Sequence, residues 1–96
     1  MFIAILTYKK PLTEVDRFLG EHRAFLAECY ASGICITSGP RVPREGGVIM
    51  LKTNSRNAAE EILSHDPFRI NQIADYQIVE FTPTLFCDES LKQILE

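Results

Sequence analysis

His22 and Asp66 are the two side chains whose type and placement suit proton chemistry. Histidine titrates near neutral pH. A carboxylate that accepts from one imidazole nitrogen fixes the tautomer and leaves the other nitrogen as a base or acid. On a helical wheel of about 100° per residue, His22 falls about 20° from Val15. That is near the centre of an apolar stripe formed by Val15, Phe18, Leu19, Leu26 and Cys29. Asp66 falls between Ile62 and Leu63, at the centre of a second helix's apolar face. Each helix then turns one titratable group toward the same sheet face. An ionised group buried without a partner is costly, so a His and an Asp buried together are expected to satisfy one another. A purely structural reading stands beside this one. Asp66-Pro67 also reads as an N-cap followed by Pro at the first position of a further turn through Phe68-Arg69-Ile70.

Other residues offer less. Arg41, in Ser38-Gly39-Pro40-Arg41, could hold a ligand carboxylate or oxyanion, although such an Arg is more often a solvated loop residue. Tyr8 ends the first strand and either aims a phenol into the same cavity or packs. Gly46-Gly47 lacks both the phosphate-loop pattern and a following helix, so it says nothing of nucleotides. Cys29 and Cys35 fall on a core stripe and within a strand, as small hydrophobes and not nucleophiles.

The elements that must position these groups follow from periodicity. Phe2 to Tyr8 is a short apolar strand ended by Lys9-Lys10-Pro11. Thr13 offers an N-cap for a long amphipathic helix running to Ala31, with Gly33 as its stop. Ile34 to Ser38 is a second strand closed by Gly39-Pro40. Arg41 to Glu45 is a loop, and Val48 to Lys52 is a third strand that makes an antiparallel hairpin with the second. Thr53-Asn54-Ser55 holds caps for a second helix that stops at Asp66-Pro67, because a residue before proline leaves the α region. Tyr76 to Phe81 is the fourth strand. The tail from 84 to 96 carries a candidate cap in Asp88 and reads as a short helix or a dimer arm.

The resulting order, β-α-β-β-α-β, is the ferredoxin-like pattern of an α+β fold. Right-handed crossovers place both helices on one face of a four-stranded antiparallel sheet. All four strands carry apolar residues at both parities, so the opposite face is apolar as well. Exposed apolar area of that size marks a partner surface, and a homodimer through the sheet face is expected.

Composition sets the outer bounds. The chain has 96 residues, enough for one domain spanning 1–96. It is 46% hydrophobic and 24% charged, which excludes disordered and low-complexity classes. Thirteen acids against ten bases give a net charge of −3, so the basic footprint of a nucleic-acid binder is missing. No apolar run approaches the ~18 residues of a membrane helix, and the N-terminus reads as a strand. Three scattered cysteines without CxxC spacing suggest reduced thiols in the cytoplasm. With two histidines and no paired cysteines, no structural metal site is expected.

The stretch His22-x-x-x-Leu26, then Gly33-x-x-x-x-Ser38-Gly39-Pro40, then Gly46-Gly47-Val48, then Asp66-Pro67-Phe68 resembles the YCII-related (YciI-like) proteins. The resemblance covers residues 2 to about 83. It implies a dimeric α+β barrel with a site centred on a His/Asp pair, here His22 and Asp66. Some relatives are dehydrochlorinases of chlorinated hydroquinones, and related barrels include muconolactone isomerases. The expectation is a cofactor-free lyase or isomerase on a small cyclic or aromatic molecule, with Tyr8, Ser38 and Arg41 contacting substrate. The alternative is a non-catalytic dimer that binds or senses a small molecule while the His/Asp pair merely satisfies itself.

Overall fold

The computed structural model describes residues 1–96. Its elements are β1 (Phe2–Tyr8), α1 (Leu12–Ala31), β2 (Cys35–Pro40), β3 (Gly46–Leu51), α2 (Arg56–Leu63), α3 (Pro67–Ile70), β4 (Ala74–Glu80) and α4 (Glu89–Leu95). The strands form one antiparallel sheet in the order β2-β3-β1-β4. This is the ferredoxin-like arrangement, with the two crossovers placing α1, α2 and α3 on one face.

Strand parity divides the sheet. Phe2, Ala4 and Leu6 of β1 pair across to Leu51, Ile49 and Gly47 of β3 and turn toward the helices. There they join Val15 and Cys29 of α1, Ala59 and Leu63 of α2, Phe68 of α3, and Ile73 and Ile78 in one core. The alternate residues Ile3, Ile5, Val48, Met50 and Val79 share the opposite face, with Val48 and Val79 exposed. Ile3, Ile5 and Met50 are half-buried, and α4 meets this face at Lys52, whose Nζ donates to the Ile94 carbonyl at 3.0 Å.

Several boundaries differ from the sequence reading. Thr13 does not cap α1. The helix begins at Leu12, which puts Thr13 inside the first turn, and Pro11 at the N-cap position has no side-chain acceptor to offer. Strand β2 runs on through Gly39-Pro40, which an edge strand tolerates because the missing N–H faces no neighbour. Gly33, at φ +77°, ends α1 as expected. Ser55 caps α2, its hydroxyl accepting from the Ala58 N–H at 3.1 Å. The consequential difference concerns the helix wheel's placement of Asp66. Helix α2 stops at Leu63, so Asp66 does not sit on that helix's face; it caps α3, as the capping reading expects, accepting from the Phe68 N–H at 3.0 Å.

Candidate active site

His22 reaches inward from the middle of α1 and is 9% exposed, while Asp66 is fully buried at 0%. His22 Nδ1 lies 2.7 Å from Asp66 Oδ1. A carboxylate can only accept, so Nδ1 carries a proton and donates it, which leaves Nε2 as the nitrogen free for other partners. Nε2 has no protein partner, yet no buried side-chain nitrogen or oxygen is left unsatisfied. It therefore opens onto the cavity that His22 helps line.

Two residues outside the sequence-derived set complete this arrangement. The Phe68 ring stacks on His22 with centroids 4.0 Å apart and planes 4° apart, which holds the imidazole against rotation about its own axis. Tyr76 of β4 donates its hydroxyl to Asp66 Oδ2 at 2.5 Å. Burial first, and the Asp66 charge second, push the Tyr76 phenol far above its ordinary value, so it stays protonated and can only be the donor. Arg69 lies over the Tyr76 ring at 5.1 Å and bridges to Glu60 at 3.1 Å, fixing the phenol from behind. Asp66 thus accepts from three donors on three segments: α1, its own α3 and β4. The short α3 brings these together, because Pro67 at its first position turns the chain so that Asp66 and Phe68 both point at α1.

The cavity has a volume of about 820 Å³ and lies between α1 and the β2–β3 half of the sheet. Its floor is apolar, with Leu6, Leu19, Leu26 and Phe68. Tyr8, Ser38 and Arg41 all line it, but none bonds to the His22–Asp66 pair. Tyr8 meets Phe68 edge-on at 6.0 Å. Ser38 lies 2.5 Å from the Tyr30 hydroxyl, and Arg41 donates to the Thr7 hydroxyl at 3.0 Å. Tyr76 is legible in principle. Opposite Leu6 it shares the helix-facing parity of Ile78, which marks a polar atom turned into the core.

A family model described as the YCII-related domain matches residues 1–82. The chain belongs to the YCII-related family. Among solved structures the fold is similar to 5-chloro-2-hydroxyhydroquinone dehydrochlorinase from Burkholderia phenoliruptrix AC1100, determined in complex with 2,5-dihydroxybenzoquinone. The two share 16% sequence identity at a TM-score of 0.70, over 84% of this chain and 93% of that one. That likeness establishes the ferredoxin-like architecture. A search of curated proteins returns no match. No helix of this YCII-related chain is long and apolar enough to cross a membrane.

Proposed function

We propose that this YCII-related protein is a cofactor-free acid–base enzyme, a lyase or isomerase acting on a small cyclic or aromatic molecule held beside α1. The carrying observation is the division of labour on one imidazole: Nδ1 is tied to a buried carboxylate while Nε2 opens onto an apolar-walled cavity. In this reading His22 Nε2 takes a proton from a substrate carbon or hydroxyl. Asp66 keeps Nδ1 as the donor and stabilises the imidazolium that forms. Proton return from Nε2 to a second atom completes an isomerisation, and departure of a leaving group such as chloride completes an elimination. Tyr8, Ser38 and Arg41 contact the substrate from the cavity wall. General acid–base catalysis of this kind contributes typically ~10²–10⁴-fold. The solved dehydrochlorinase of like fold supports elimination from a hydroxylated ring as the first chemistry to test.

The assembly belongs to the same proposal. A second copy packing on the Ile3, Ile5, Val48, Met50 and Val79 face makes a homodimer and covers the exposed Val48 and Val79.

The test is proton exchange in deuterated water, followed by NMR, across a panel of hydroxylated and chlorinated ring compounds. Wild-type protein should label or convert at least one of them, and His22→Gln should not. Indistinguishable behaviour of the two proteins across the panel overturns the enzyme reading. Tight binding without turnover would favour a sensor, whose His–Asp–Tyr cluster is already internally satisfied.

A further inference from the structure

The charge of the cavity wall runs against that of the chain. Acids outnumber bases thirteen to ten overall, yet the wall carries Arg23, Arg41 and Arg44 against the single acid Asp16. That acid is already committed, since Arg44 binds Asp16 at 2.6 Å. Arg41 spends one terminal nitrogen on Thr7 at 3.0 Å. Its nearest carboxylate, Glu45, is 3.7 Å away and points to solvent with a side chain 62% exposed. Arg23 pairs with no carboxylate at all. The guanidiniums therefore hold unspent donors at the edge of an apolar floor, where an oxyanion gains charge-assisted hydrogen bonds with little competition from water.

We infer that the substrate of this cavity carries a carboxylate, bound by Arg41 with Arg44 beside it and Arg23 further along the rim toward His22, and an apolar ring-sized body lying over Leu19 and Phe68 toward His22. The layout follows the helix. Asp16, which marks the Arg44 end, precedes His22 by six residues, or about 9 Å along the axis, with Leu19 between them. Arg41 joins that end because it bonds to Thr7, whose neighbour Tyr8 closes the same side. A carboxylate suits this site better than a phosphate. Arginine forks bind both anions, but Gly46 and Gly47 are paired in the strand ladder with Thr7 and Leu6, so no backbone nest adds the further donors that would favour a phosphate. The inference rests on the acid–base reading only for where the reacting atom lies, since anion capture does not require His22.

Benzoate and cyclohexanecarboxylate, titrated against benzamide and cyclohexanecarboxamide, test it through amide shift changes in the full chain. The carboxylates should bind about tenfold more tightly than their amides, and added salt should shrink that ratio. Arg41→Gln should erase most of the preference while leaving amide binding alone. Arg23→Gln, at an exposed and unpaired side chain, tests the same point without touching the fold, and should reduce the preference by about threefold. Equal affinity for acid and amide, or no carboxylate binding up to on the order of 50 mM, overturns the inference. So does tighter binding of phenyl phosphate than of benzoate. His22→Gln separates this inference from the catalytic proposal. It should abolish turnover and keep the carboxylate preference, whereas loss of the preference in that variant would assign the anion to His22 and refute the arginine site.

Discussion

Removing the Asp66 carboxylate should cost more than removing any other side chain of similar size, and the structure indicates how much. Asp66 is fully buried and accepts from His22 Nδ1 at 2.7 Å, the Phe68 N–H at 3.0 Å and the Tyr76 hydroxyl at 2.5 Å. Asp66→Ala strands all three donors. Each buried donor left unpaired costs about 1–3 kcal/mol, and the half-buried Tyr76 sits at the low end because it can turn to water. The sum is about 3–7 kcal/mol against a total stability of roughly 5–15. At about 4–8 °C per kcal/mol for a domain this size, Asp66→Ala should melt about 10–55 °C lower or fail to fold. Asp66→Asn keeps one oxygen for Phe68 and His22, and presents its amide to the Tyr76 oxygen, which must then accept. That change should cost about 1–2 kcal/mol, a drop of roughly 5–15 °C. Under the proposed acid–base chemistry its effect on turnover should be far larger, about 10²–10⁴-fold, because the imidazolium would lose its counter-charge while the turn survives. Calorimetry of the two variants, with exchange or elimination assays on Asp66→Asn, reads all three quantities. If Asp66→Ala loses less than about 1 kcal/mol, the three donors do not depend on this carboxylate, and Asp66 is not the centre that holds the site together.

Further outcomes follow from other contacts. Tyr76→Phe should cost about 1–2 kcal/mol in urea melts, and combined with Asp66→Asn should fall clearly short of additivity, since both remove one hydrogen bond. Burial pushes the Cys35 thiol up to about 11 from an ordinary 9.0 and raises Cys29 as well, so iodoacetamide at pH 8 should label the exposed Cys87 alone, as mass spectrometry would show. Between pH 9 and about 11 the folded Cys35 keeps a proton that the unfolded chain has released. The Cys35 contribution should therefore be constant below pH 9 and fall above it, and Cys35→Ala should remove its share of an alkaline decline that Cys29 and Tyr76 also feed. Gly46→Ala should destabilise severely, because a Cβ there would lie 1.7 Å from the Leu6 carbonyl oxygen and neither strand can yield without breaking the ladder. The soluble yield and melting curve will show it. Sedimentation of the wild type should give a dimer burying well over ~1,000 Å², and Ile5→Lys, placed among Ile3, Val48 and Val79, should shift it to monomer.

Local pattern carries most of the framework. Alternation and helical spacing place the four strands and α1, and the order alone leads to the sheet topology, because right-handed crossovers leave few alternatives. The inward orientation of His22 is equally local, since the apolar stripe of a 20-residue helix must face the core. The apolar second face of the sheet follows from strand parity in the same way.

What joins the site is not local. A helical wheel turns Asp66 inward but assigns it to the wrong element. It extends α2 past Leu63, whereas the chain leaves that helix at Ser64 to begin α3. A wheel reports direction about an axis and nothing of position along it, so the 2.7 Å approach of residues 44 apart is decided by how α3 packs on α1. Tyr76 enters only because β4 pairs with β1 in a register that sets it opposite Leu6, and one residue of slip would turn its hydroxyl to the other face. The stacking of Phe68, the open Nε2 and the arginine-rimmed cavity are likewise properties of the assembled layers. Spacing along a chain constrains which way side chains point, but the few ångströms that separate a hydrogen bond from mere proximity are set by packing among elements distant in sequence.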